Sequence, residues 1–226
     1  PIYHNDYTYQ GDKLVQARHN TSDNAAEDVT YAFAYDAVNR PTAVRVGKQL
    51  LSETAYNANG TVQKVTYGNG GKAAYTYDSF KRVTGVTYLS YIYDDCGNII
   101  AVSDGVKQIT YVYDKLGQLI RANDPHDTTA GSSGTTWVYA YDLGGNILSK
   151  KAYAYTTGTL GAAVHTDTYT YGDANWKDKL TAFNGKSITY DAIGNPLKDN
   201  TWTYTWGKGR QLQYMVKNGD AVYFYI

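Results

Sequence analysis

Four histidines, His4, His19, His126 and His165, are the side chains of this 226-residue chain that could serve as general bases near neutral pH. A hydrolase built on one of them needs a nucleophile within reach, and no Ser or Cys stands in a recognisable nucleophile motif. The single cysteine, Cys96, excludes an intrachain disulfide framework and a multi-cysteine zinc site, and is expected to be a small residue in a turn. Asp124-Pro125-His126-Asp127 gathers two carboxylates and an imidazole and could hold a cation, but it lacks the ligand spacing of a standard site and reads as solvated loop. Carboxylates recur after tyrosines, at Asp78, Asp94, Asp114, Asp142 and Asp191. They could be calcium ligands or the acid and base of glycoside hydrolysis. Trp137, Trp176, Trp202 and Trp206 are candidate glycan-binding residues, because an exposed indole offers a flat apolar surface to a sugar ring; the alternative is that they cap or fill an aromatic ladder. These residues imply no catalytic set, no metal and no cofactor.

The elements that carry them explain the carboxylates better. The stretch Tyr91 to Asp124 states one phrase twice: Tyr-x-Tyr-Asp, two variable residues, Gly, a polar residue, then aliphatics. The second aromatic of the phrase falls at Tyr9, Tyr35, Tyr56, Tyr77, Tyr93, Tyr113, Tyr141, Tyr171, Tyr190, Trp206 and Tyr225, at intervals from 16 (Tyr77 to Tyr93) to 30 (Tyr141 to Tyr171). Such spacing suits two short strands and two connections, and internal repetition at this period marks a repeat architecture. Period-2 alternation places the two rings of each pair on one face of a strand: Tyr75 with Tyr77, Tyr91 with Tyr93, Tyr111 with Tyr113, Tyr139 with Tyr141. The Asp that follows can accept from backbone amides farther on, and a type I turn favours Asp or Asn first and Gly fourth. Gly97, Gly117, Gly145 and Gly194 hold that fourth place, where a positive φ closes the hairpin as a bulge. Asn39 and Lys81 hold it in two other phrases, Lys81 either at some strain or with another turn type. A lone hairpin is marginal in water, so each must stack on its neighbours, with equivalent tyrosines forming ladders and their hydroxyls finding carbonyls, Asp or water.

Composition agrees. Tyrosine occurs 25 times against four Phe and four Trp, and the 22 glycines accompany few helical patterns. Acidic and basic residues balance at 21 each, which excludes a global field that would draw nucleic acid or anionic lipid. No apolar run approaches a membrane span. Three stretches interrupt the pattern: residues 10–30 read as a long polar loop, 123–136 as a flexible insertion, and 155–169 as a hairpin with a lengthened tip.

Tandem Tyr-x-Tyr-Asp-x-x-Gly-Asn/Arg phrases, together with "VTYGNGGKAAYTYDSFKRVTGV" (Val65 to Val86), resemble the RHS/YD-repeat family over essentially the whole chain. That family includes bacterial wall-associated and polymorphic-toxin RHS proteins, the C components of insecticidal toxin complexes, and teneurins. The resemblance implies a spiralling β-sheet shell able to enclose a C-terminal polypeptide, in proteins that are secreted or surface-associated. The stretch that precedes self-cleavage in processing members has no counterpart here, and Asp124-Pro125 and Asn195-Pro196 are isolated pairs, so that activity is not carried over.

The expectation is an all-β fold of tandem hairpins stacked into an open, curved or spiralling antiparallel sheet. Residues 1–226 form one repeat unit, read as a piece of a longer chain that begins without Met. Its expected role is structural and non-catalytic, at the cell surface or outside the cell, with the remaining repeats and a passenger domain as partners. The alternative is a surface that binds carbohydrate or a partner protein. Unpaired strand edges are expected to favour edge-to-edge association.

Overall fold

The computed structural model describes residues 4–20, 24, 27–217 and 219–223. Tyr225 lies outside the described residues. Among them the regular architecture is β-strand throughout, with twenty-two strands and every described pairing antiparallel. Contacts group the chain into two units, residues 1–92 with 102–106, and residues 93–101 with 107–226.

In the first unit β1 (Asn5–Gln10), β2 (Lys13–His19), β3 (Val29–Tyr35), β4 (Pro41–Val46), β5 (Gln49–Tyr56), β6 (Val62–Tyr67), β7 (Lys72–Tyr77), β8 (Val83–Val86) and β9 (Leu89–Tyr93) follow in chain order. Each pairs with the next. Strand β2 corrects the expectation of a loop over 10–30. The run Lys-Leu-Val-Gln-Ala-Arg-His looks polar but alternates, and Gln16, Ala17, Arg18 and His19 pair with Ala32, Tyr31, Thr30 and Val29. Cross-strand pairing outweighs a weak local pattern.

After β10 (Ile99–Ser103), the second unit continues with β11 (Gln108–Tyr113), β12 (Leu119–Asp124), β13 (Thr135–Tyr141), β14 (Ile147–Ala154), β15 (His165–Thr170), β16 (Ala182–Phe183) and β17 (Lys186–Ser187). A separate five-stranded sheet follows: β18 (Thr189–Tyr190), β19 (Pro196–Lys198), β20 (Thr203–Gly207), β21 (Gln211–Lys217) and β22 (Asp220–Tyr223). The connection 155–164 is the lengthened tip that the sequence predicts, joining β14 to β15 with Ala152 opposite His165.

Eight register shifts recur at one point of the phrase, immediately before its second aromatic: at Tyr9, Tyr35, Tyr56, Tyr77, Tyr113, Tyr141, Tyr190 and Trp206. A bulge bends the strand and re-aims the side chain that follows it. Burial is thin, because the buried apolar residues are alanines, Ala17, Ala101, Ala122 and Ala152.

Candidate functional site

Two features hold the chemistry-bearing side chains: a clip repeated at every regular hairpin turn, and a polar knot around the irregular segment 121–137.

The clip begins with the turn. Gly97 N–H donates to the Asp94 carbonyl at 3.1 Å, and Gly117, Gly145 and Gly194 do the same to Asp114, Asp142 and Asp191. The carboxylate works in parallel. Asp94 Oδ1 accepts from the N–H groups of Cys96 and Asn98, and its Oδ2 accepts from the Asn98 side-chain amide at 2.8 Å. Asn146 and Asn195 return to Asp142 and Asp191 in this way, while Arg40 and Arg82 reach Asp36 and Asp78 through Nε at 2.6 Å. The Asn98 amide, ahead of the backbone donors, holds Asp94 below the ordinary carboxylate range, and Asn146 does so for Asp142. Of the two alternatives at Lys81 the structure shows the strained one: the residue is left-handed with φ 63°, and its N–H still closes the turn on Asp78.

The tyrosine then links one hairpin to the hairpin before it. Tyr35 Oη donates to the Leu14 carbonyl at 2.8 Å, Tyr56 to Pro41 at 2.7 Å and Tyr77 to Val62 at 2.8 Å. In the second unit Tyr113 donates to Ile99, Tyr141 to Leu119 and Tyr190 to Leu180. Four of these six acceptors sit where the preceding aromatic pairs: Tyr9 faces Leu14, Tyr35 faces Pro41, Tyr56 faces Val62, and Tyr113 faces Leu119. Ring, bulge and carbonyl therefore recur within each unit as a fastening by which one hairpin grips the hairpin before it. Burial, and then the charge of the preceding turn's Asp, pushes the Tyr113 and Tyr141 hydroxyls up, which keeps them protonated as donors.

The knot contains the most buried polar groups. Thr135 and Thr136 are fully buried and Asn123 nearly so. Asn123 Nδ2 donates to Thr110 Oγ1 at 2.8 Å, Thr136 Oγ1 to Asn123 Oδ1 at 3.1 Å, and Thr156 N–H to Thr136 Oγ1 at 3.0 Å. Arg121 Nη2 donates to the carbonyls of Thr156 and Gly158, tying down the 155–164 connection. The predicted flexible insertion is thus an ordered fold-back. Asp127, expected in a solvated loop, is turned inward: it accepts from Thr129 N–H, Thr135 Oγ1 and the Trp137 indole. Bonds from the Thr129 side chain and backbone are the chief reason its pKa falls to about 2. Asp124 accepts from the N–H groups of His126 and Asp127, so the two carboxylates serve the loop's own backbone.

The four tryptophans have separate surroundings. Trp137 is half-buried, with Lys150 Nζ 3.8 Å from its ring centroid. Trp206 takes the tyrosine's place and donates Nε1–H to the Pro196 carbonyl at 2.7 Å. Trp202 lies beside Lys217. Trp176 is 46% exposed and covers Gly194, where a methyl group would stand 2.5 Å from the indole. The histidines stay apart: His4 bonds Asn20, His19 packs edge-on against Tyr31, and His165 lies 3.0 Å from Asp167. Among the described residues no three His, Cys, Asp or Glu side chains gather as a metal site would require, and no helix is long and apolar enough to cross a membrane.

Sequence reasoning missed the residue after the turn glycine as a carboxylate partner, although the recurrent Asn or Arg there was its signal. It also missed Arg121, Asn123 and Thr136, whose roles appear only when three strands and two loops are brought together.

Comparison with known proteins gives this geometry relatives. Residues 2–130 match the family model described as Teneurin YD-shell. The tRNA3(Ser)-specific nuclease WapA of Bacillus spizizenii and the tRNA nuclease WapA of Bacillus subtilis are each 33% identical over 178 residues, covering 73% of this chain. The chain spans 7% of the length of these curated relatives. The crystal structure of TcdB2-TccC3 superposes with a TM-score of 0.61 at 18% identity, over 96% of this chain and 13% of that one. The Photorhabdus luminescens Tc holotoxin pore gives 0.58 at 17% identity, over 95% and 13%. Those two structures share the fold, and the family-model match that covers more than half of the sequence carries the assignment: this chain belongs to the RHS/YD-repeat family, with a teneurin-type YD-shell.

Proposed function

We propose that residues 1–226 are one non-catalytic stretch of shell wall in a secreted or surface-exposed polypeptide, which encloses or presents another part of that polypeptide. The observation that carries this reading is the hydroxyl-to-carbonyl chain running from hairpin to hairpin. The hydroxyls of these tyrosines and the carboxylates of the turns are bonded to backbone and to one another, so they act as fasteners. The same phrase runs through both units, which supports treating them as one repeat segment. Its partners are further repeats and the enclosed passenger. On this reading the nuclease activity named for the Bacillus relatives, of whose length this chain spans 7%, belongs to other parts of those proteins.

Limited proteolysis of the longer polypeptide, with and without residues 1–226, tests the reading. Protection of the remaining chain that disappears with the deletion is the expected result. Equal digestion in both forms would remove the enclosing role.

A second reading, a carbohydrate-binding surface, is favoured by Trp176, whose indole lies against Gly194 and is 46% exposed, with Lys179 Nζ 5.7 Å from its ring centroid. A glycan array with a Trp176→Ala control decides it; saturable binding lost in the variant supports this reading, and binding to no glycan dismisses it.

A further inference from the structure

The second unit has two connections of ten residues, 125–134 and 155–164, and they are built in opposite ways. The first is bonded along its length: the N–H groups of His126 and Asp127 donate to Asp124, Thr129 N–H to Asp127 and Ala130 N–H to Thr135 Oγ1, while Gly131 and Gly134 close turns on the carbonyls of Thr128 and Gly131. The second is anchored toward its ends. Arg121 holds the Thr156 and Gly158 carbonyls, and Val164 N–H donates to the Ala152 carbonyl at 2.8 Å. Between those anchors Thr159, Leu160, Gly161, Ala162 and Ala163 make no hydrogen bond among the described residues and lie outside any strand or turn. All but Leu160 are exposed, and a methyl group added to Gly161 would meet open space.

An endopeptidase takes its substrate as an extended segment whose backbone amides and carbonyls pair with its own. A loop whose backbone is already bonded must first open, and its cleavage slows by the fraction of time it spends open. Exposed tips of small residues are accordingly where folded chains are nicked first. Residues 159–163 meet the requirement without opening, and Gly161-Ala162-Ala163 suits a protease with a small specificity pocket, as in elastase. Ala37, Ala58 and Ala192 are as small and also exposed, but each sits in a turn closed by a backbone bond, to Asp36, Asn57 and Asp191 respectively.

We propose that 159–163 is a proteolytic processing site, cut between Ala162 and Ala163 by an elastase-like endopeptidase, and that the sheet stays whole after the cut. One water adds across the peptide bond, leaving a carboxylate on Ala162 and an ammonium group on Ala163. The two pieces remain joined by the ladder that flanks the break, in which Ser149, Lys150, Lys151 and Ala152 pair with Thr168, Asp167, Thr166 and His165. Asn146 Nδ2 also donates to Asp178 Oδ1 across the cut at 3.2 Å. The inference does not depend on the shell reading.

Brief digestion of the chain with a low dose of elastase, read by intact mass, tests it. The first products should be residues 1–162 and 163–226, which elute together from a sizing column and part only in urea. Ala163→Pro puts a ring at the cut bond where no N–H bond is lost, so it should leave the circular dichroism unchanged and slow the cut by about tenfold or more. A first cut at any other bond, an Ala163→Pro chain cut there as fast as the original, or pieces that separate on the column without urea would overturn the proposal.

Discussion

Trp206 donates its indole N–H to the carbonyl of Pro196 at 2.7 Å, the same link at the same distance that Tyr56 makes to Pro41 with a hydroxyl. Two different side chains converge on one bond, so the position selects a large ring with a donor at its far end.

Removing the donor while keeping the ring isolates that bond. Tyr141→Phe should cost about 1–2 kcal/mol, because the half-buried Leu119 carbonyl loses its partner. Tyr56→Phe, at a more exposed link, should cost less than about 1 kcal/mol, since water replaces the hydroxyl. Urea denaturation of the two variants measures the difference.

Asp127 gives the fold-back loop an acid limit. Its pKa is about 2 in the folded chain against an ordinary 3.8, so its contribution is fully present above pH 3.8 and is lost as pH falls toward about 2. Melting temperature should decline across that window, and the decline should be shallower in Asp127→Asn. Identical profiles for the two proteins would show that the carboxylate is not responsible.

At the alkaline end Tyr204 is the group to watch. Burial, followed by its bond to Asp199 Oδ2 at 2.7 Å, pushes its hydroxyl up to about 12 from an ordinary 10.0. A raised pKa means that the stabilising bond is intact below pH 10 and fails as pH rises through about 12. Ultraviolet titration of phenolate should show a late-ionising tyrosine that is missing in Tyr204→Phe.

Gly134 and Gly105 separate two kinds of glycine. Both have positive φ, 115° and 87°, but a methyl group on Gly134 would stand 2.6 Å from Pro125 Cα and 2.7 Å from the Asp124 carbonyl, whereas Gly105 has open space. Gly105→Ala should cost about 1 kcal/mol from backbone conformation alone. Gly134→Ala should cost about 3 kcal/mol or more, because backbone must also move. Thermal melts of both variants provide the comparison.

Lys81 offers the converse change. Its φ of 63° strains an ordinary residue, and its amine makes only a long bond to the Asn59 carbonyl at 3.3 Å. Lys81→Gly should therefore raise stability by up to about 1 kcal/mol. A lower denaturation midpoint would mean that the amine contact outweighs the strain.

Legibility followed locality. Asp94 and Gly97 could be read from sequence because the turn they build is complete within five residues. The strain at Lys81 was visible for the same reason. Strand β2 was hidden because its polar residues are held by partners on β3, ten to sixteen positions away. Arg121 and Thr136 were hidden more deeply, since the carbonyl they share, that of Thr156, lies 35 and 20 residues along the chain. Trp206 carried a correct aromatic signal, but its indole N–H could be assigned only once the Pro196 carbonyl was seen beneath it.

In each unit the clipped turns occupy one end of the strands, while the opposite ends are joined by connections that vary from the two residues of 47–48 to the ten of 125–134 and 155–164. Among the regular hairpins fastening and variation thereby fall on different borders, with the connection 171–181 as the exception on the clipped side. Within 155–164 new sequence can enter without touching a clipped turn, so a foreign peptide grafted into 159–163, beyond the carbonyls that Arg121 holds, should be displayed by an undamaged frame.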